Sequence, residues 1–211
     1  MNTFISDLNW RYATKKYDAS QKISGEDLDV LKQAIRFSPS SMGLQPYKVV
    51  IVEDAKIREQ LAEVSFMNKQ SVLEASHLFV FANILDLSGD HVADAIGQIS
   101  KVRGIPLENL EQMISGYSSY VASKEIVERN IWTSKQTYIA LANLLNAAAA
   151  LKIDATPMEG FNPDAYNEIL GLGEKGLSAS VIATVGYRHE DDRFHGLAKV
   201  RKPESELFIT L

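Results

Sequence analysis

Cysteine is absent from the 211 residues. That removes a disulfide scaffold, a zinc–thiolate site, an iron–sulfur cluster and a thiol nucleophile together. Positive charge is also short: 22 Lys and Arg stand against 27 Asp and Glu, a net charge of −5. This balance argues against nucleic acid as a partner, because phosphate-driven affinity needs clustered cations. The longest apolar stretch, Ile139 to Leu151, is interrupted by Asn143 and Asn146, and it falls short of the roughly 18 to 20 residues of a membrane span. Met1-Asn2-Thr3-Phe4 has neither the basic nor the apolar part of a secretory leader, so the expectation is a cytoplasmic protein with no membrane partner. His77, His91, His189 and His195 show no ligand spacing, and no metal is expected. No Gly-x-Ser-x-Gly elbow occurs. The glycine-rich stretch Gly171 to Gly176 follows a helical pattern and precedes a strand, the reverse of a dinucleotide or Walker loop, and reads as a turn.

What is present is an ordinary globular balance, 45 % apolar and 23 % charged. One domain is the default at this length, burying roughly 70 % of the surface of the unfolded chain. Helices are expected over 4–12, from Ser24 to about Phe37 and from Asp54 to about Val64. Ser24 with Asp27 resembles a capping box, Ile23 can staple onto Leu28, and Pro39 disfavours a longer second helix. Buried strands are expected at 47–53, 77–84, 153–156 and 178–187. The pattern from 88 to 151 is helical, with breaks near Gly104-Ile105-Pro106 and near Gly116. Its last helix, about 124–151, is apolar almost all round in its second half, which implies burial on every side. Asn162-Pro163 starts a small helix. Strands separated by dominating helices fit an α+β sheet covered by helices. Leu207 to Leu211 is strand-like after a polar arm, and pattern alone leaves open whether it pairs with its own sheet or with a partner's.

The polar features are dispersed. Arg11, Lys15 and Lys16 lie near one end, and Lys199, Arg201 and Lys202 near the other. Ser38-Pro39-Ser40-Ser41-Met42-Gly43-Leu44-Gln45-Pro46 precedes a buried strand, and Thr156 to Gly160 is expected as a loop between a strand and a helix cap. Each alone reads as a solvated face or a connection.

In order, these pieces resemble the flavin-dependent nitroreductase family, in particular its oxygen-insensitive NAD(P)H members. The resemblance rests on Arg11-Tyr12-Ala13-Thr14-Lys15-Lys16-Tyr17-Asp18, Ser38-Pro39-Ser40-Ser41 with Gln45-Pro46, and Glu74-Ala75-Ser76-His77. It continues through Gln136-Thr137-Tyr138, Pro157-Met158-Glu159-Gly160 and Lys199-Val200-Arg201, at family-like spacing over nearly the whole chain. It implies a nitroreductase-like α+β fold over 1–211, with a central mixed or antiparallel sheet flanked by helices. It also implies an intertwined homodimer, its C-terminal strand added to the partner's sheet and an FMN at each interface site. Arg11, Lys199 and Arg201 would hold the FMN phosphate, and Lys15 the pyrimidine edge, where a cation stabilises the reduced ring. Tyr12, Ala13, Gly43 and Asn68 fall at cofactor-contact positions. Pro39, Ser40 and Ser41 would come from the other subunit, and Gln136 would approach the ribityl chain. Pro157, Met158, Glu159 and Gly160 would line one ring face, with the Glu159 N–H directed at the hydride-accepting nitrogen.

The same resemblance implies NADH or NADPH as donor and small planar acceptors such as nitroaromatics or quinones, taking turns at one face by ping-pong kinetics. No side chain would act as acid, base or nucleophile. The segment 105–120 falls where the family builds a variable lid, and Tyr117 and Tyr120 are candidates for stacking on an acceptor. Three positions depart from the family pattern: Ala13 where Ser is frequent, Gly43 where Asn is frequent, and Ser71 where Lys is common. The last implies weaker stabilisation of reduced flavin unless Lys69 substitutes. Two other readings stay open, a flavin-consuming or dehalogenating specialist and a non-catalytic flavin-binding regulator. A lid of ordinary length disfavours the first, and the retained Arg11, Lys15, Lys199 and Arg201 disfavour the second.

Overall fold

A computed structural model of the chain describes residues 2–211. In chain order the elements are α1 (Thr3–Trp10), α2 (Gly25–Arg36), β1 (Tyr47–Val52), α3 (Ala55–Glu63), α4 (Lys69–Glu74), β2 (His77–Ile84), α5 (Gly89–Arg103), α6 (Glu111–Ala122), α7 (Ile126–Ala150), β3 (Asp154–Met158), α8 (Pro163–Ile169), β4 (Leu177–Gly186) and α9 (Glu204–Leu207). The strands form one sheet in the order β1-β2-β4-β3, and every pairing is antiparallel.

Helix starts follow local chemistry. Ser24 Oγ accepts from the Asp27 N–H at 3.0 Å, Asp54 accepts from the Ile57 N–H at 2.9 Å, and Asn162 caps α8 ahead of Pro163. Each side chain satisfies an N–H that has no partner within its helix.

The sheet is covered on both faces, which is why β2 reads as an unbroken apolar run. Phe79, Phe81, Val181, Ala183 and Val185 pack under Leu31 and Ile35 of α2 and Ala140, Leu144 and Ala148 of α7. Leu78, Val80, Ala82 and Ile182 face Leu61, Val72 and Tyr166 of α3, α4 and α8. The register slips between Phe81 and Ala82, where β4 passes from Val181 to Ala179. Ser180 is the extra residue, and this bulge lets two odd-numbered neighbours serve opposite faces. A third cluster joins Val92 and Ile96 of α5 and Val121 of α6 to Leu44 and Leu87.

Four expectations change. No break occurs at Gly116, which lies inside α6; the second interruption falls at 123–125 instead. The strand expected at 153–156 extends through Pro157 and Met158, because Pro at an edge strand forfeits no ladder bond it needs. The second half of α7 is not buried all round: Ile139 is 38 % exposed and Ala142 and Ala150 are exposed, and in the first half Ile126, Val127 and Ile131 stand out as well. Leu207 to Leu211, expected as strand-like, forms no strand here: Leu207 closes α9, and Phe208 to Leu211 stands exposed and joins no strand of its own sheet.

No helix among the described residues is long and apolar enough to cross a membrane.

Candidate functional site

The two ends of the chain meet. Lys199 Nζ donates to the Arg11 carbonyl at 2.5 Å, and Arg11, Lys15, Lys199 and Arg201 line one cavity of about 830 Å³ with Tyr12, Ala13 and Pro157. Arg11 itself donates to the Ala155 carbonyl of β3 at 3.2 Å, while its Nε is buried with no partner. Among the described residues no carboxylate pairs with these four cations. Burial, then Arg201, lowers the Arg11 pKa, and burial, then Arg11 and Arg201, lowers that of Lys199. Cations gathered without a counter-charge are costly unless an anion joins them.

Two buried acids that sequence reading passed over hold this arrangement. Asp154, at the start of β3, accepts from Thr14 Oγ1 at 3.0 Å and from the Arg188 backbone and Nε at 2.9 and 3.0 Å, and it pairs with Arg188 Nη2 at 2.7 Å. The Arg188 guanidinium lies over the rings of Trp10 and Tyr12, 4.3 and 4.6 Å from their centroids. Asp192 accepts from the backbone N–H groups of Lys15 and Lys16 at 2.6 and 2.7 Å. A carboxylate in a charged loop reads as solvated in sequence. Only its partners reveal otherwise.

The segment 11–17 also runs beside β3, and Thr156 Oγ1 donates to the Thr14 carbonyl at 2.9 Å. At its end Tyr17 is wholly buried, its hydroxyl against Thr156 and Thr184. Beyond Lys15, Ser71 Oγ donates to the Lys15 carbonyl at 2.9 Å. Lys69, the other cation of this segment, pairs through its ammonium with Glu63 at 2.6 Å and does not line the cationic cavity. Asn68 Nδ2 donates to the Gly160 carbonyl at 2.9 Å, and a Cβ on Gly160 would stand 2.9 Å from that nitrogen. A larger residue at 160 would displace the Asn68 amide from this position. Glu159 accepts from Tyr138 Oη at 2.7 Å, and Met158 is buried beside Phe161 and Tyr166.

The remaining expected residues form a second group that does not line the cationic cavity. Gln136, buried on α7, accepts the Ser41 N–H at 2.8 Å, and Ser40 Oγ accepts the Gln45 N–H at 2.8 Å. Pro39 precedes them, exposed. Gly43 adopts φ +69°, a left-handed conformation suited to glycine and tolerated by asparagine. Met42 packs into the α5–α6 cluster with Tyr117, so this loop and the helical excursion are one unit. Tyr117 is half-buried there. Tyr120 is 47 % exposed, edge-on to Trp132 and beneath the Lys124 ammonium.

Comparison with known proteins shows what the chain as a whole is similar to. The model described as "Nitroreductase family" matches residues 8–187. The Major NAD(P)H-flavin oxidoreductase of Aliivibrio fischeri is 34 % identical, with 98 % of each chain covered. In structure the chain is similar to a protein assigned as a nitroreductase from Bacillus subtilis, with TM-score 0.86, 22 % identity, and 99 % and 98 % of the two chains covered. It is also similar to one from Exiguobacterium sibiricum solved in complex with FMN, with TM-score 0.83, 18 % identity, and 99 % and 97 % covered.

Proposed function

Because the chain belongs to the Nitroreductase family and is an oxidoreductase, we propose that it is an FMN-dependent NAD(P)H oxidoreductase that reduces nitroaromatics, quinones or similar planar acceptors. The observation that carries this reading is the cavity where Arg11, Lys15, Lys199 and Arg201 converge without a carboxylate. The donor set fits a flavin phosphate: a guanidinium with an orphaned buried Nε, a second guanidinium and an ammonium offer charge-assisted bonds to a dianion. The relative from Aliivibrio fischeri is named as an NAD(P)H-flavin oxidoreductase, which supports the nicotinamide and flavin parts of this reading.

FMN, when bound, supplies hydride acceptance from a nicotinamide and two-electron delivery to an acceptor. The chain's own residues bind and orient. Arg11, Lys199 and Arg201 anchor the phosphate, and Lys15 holds positive charge at the pyrimidine edge. The Pro157–Gly160 stretch, fixed by β3 on one side and by Asn68 and Tyr138 on the other, backs one ring face, with Tyr12 and Ala13 beside Pro157 in the cavity lining. Donor and acceptor share the other face and must alternate, which makes the kinetics ping-pong.

Pro39, Ser40, Ser41, Gly43 and Gln136 complete the site from a second copy of the chain. Supporting this are their position outside the cationic cavity, the exposed apolar flank of α7 and the exposed Phe208, Ile209 and Leu211. The β3 edge is already flanked by residues 11–16, so β1 offers the free edge for the partner's C-terminal residues. The α5–α6 excursion then acts as the lid, with Tyr120 presented to the acceptor.

The test is direct. Purified protein should be yellow, bleach under anaerobic NADH or NADPH, and regain colour on adding a quinone or a nitroaromatic. Colourless protein that takes up no added FMN refutes the proposal.

A further inference from the structure

The backbone of Lys15 is gripped from two sides. Asp192 Oδ2 accepts its N–H at 2.6 Å and that of Lys16 at 2.7 Å, while Ser71 Oγ donates to its carbonyl at 2.9 Å. The other Asp192 oxygen accepts from Phe194 N–H at 2.8 Å, at the root of the arm that carries Lys199 and Arg201. Asp192 is 4 % exposed, and among the described residues no cation pairs with it; Lys16 Nζ goes to Asp191 instead. Its hydrogen bonds come from backbone donors, with the Tyr12 hydroxyl adding to the stabilisation of its charge. Burial opposes ionisation, but the N–H groups of Lys16, Phe194 and Lys15 outweigh it and hold the carboxyl below its ordinary range.

We infer that Asp192 is a positioning residue of the cofactor site: one buried carboxylate locks the Lys15 segment to the base of the Lys199–Arg201 arm, so the ring-edge cation and the phosphate cations are set in register by the same side chain. Ser71 completes the grip. Where a second lysine is common in the family, this chain has a hydroxyl that fixes the lysine it keeps. The physical ground is that a carboxylate accepts several charge-assisted bonds at once, each stronger than a neutral one. Asparagine of the same size offers one accepting oxygen, and its amide N–H groups would face backbone N–H donors.

This inference rests on the flavin reading above, and the experiment separates the two. Apoprotein of the parent chain and of Asp192→Asn is titrated with FMN by fluorescence quenching, the midpoint potential is measured by dye-linked titration, and folding is checked by circular dichroism. Asp192→Asn is expected to bind FMN at least tenfold more weakly and to have a lower potential, since Lys15 no longer sits squarely at the ring edge. A purely structural role would lower the melting temperature and leave the potential of the bound flavin at the parent's value. A parent that binds FMN beside an Asp192→Asn variant with the same Kd and potential overturns this inference alone. A parent that takes up no FMN overturns the flavin reading and this inference with it. If Asp192→Asn does not fold, Ser71→Ala carries the test: the potential falls while FMN binding changes little, and an unchanged potential overturns the inference.

Discussion

Lys199 and Arg11, 188 positions apart, meet through a hydrogen bond from the lysine ammonium to the arginine's own carbonyl. The lysine is thereby fixed by the backbone of a residue whose side chain carries the same charge. Such a contact gains nothing from the two charges, which repel. It positions an ammonium beside a guanidinium so that both face the same space.

Arg11→Ala tests that arrangement. Removing one partner of a buried charge contact costs about 2 to 5 kcal/mol, and the loss should appear in FMN binding while riboflavin, which lacks the phosphate, is scarcely affected. Titration of the apoprotein with both ligands measures it. Equal losses for the two would mean that Arg11 does not meet the phosphate.

Asp154→Asn should destabilise the fold. The Asp154 side chain is 3 % exposed and that of Arg188 17 %, and breaking a buried pair by removing one charge costs about 3 to 5 kcal/mol. For a chain of this length that is a fall in melting temperature of about 6 to 20 °C. A variant melting within about 2 °C of the parent would contradict this account of the Asp154–Arg188 pair.

His77 gives a pH dependence of known sign. Burial, then Arg58, depresses its pKa, so the folded protein binds fewer protons there than the unfolded chain. Stability from this residue is complete above the unfolded value, about 6.5, and declines as pH falls through it toward the folded pKa. His77→Gln should lose less melting temperature between pH 7 and pH 5 than the parent does, as thermal melts at the two pH values will show. An equal loss in both proteins would mean that another group titrates.

Deleting Phe208 to Leu211 should weaken self-association and FMN retention together. Sedimentation across a concentration series reads the first and absorbance after gel filtration the second. A truncated chain that associates and holds flavin as the parent does would show that these residues do not pair with a second copy.

Sequence alone determined what local chemistry decides. The cap at Ser24 and the Asn162-Pro163 start are legible because a side chain satisfies N–H groups within three residues of itself. The apolar run of β2 is legible because a strand covered on both faces has no polar side to show. The family and the candidate cations followed from ordered short motifs. Tertiary structure decided the rest. Gly116 lies exposed inside α6 with open space around it, its cost as a poor helix former carried by the turns on either side, and Asp154 and Asp192 became buried anchors only once segments 140 and more positions away were brought to them. No spacing rule encodes such contacts, since the partners share neither an element nor a period. Sequence identified the cations; the fold identified the carboxylates that aim them.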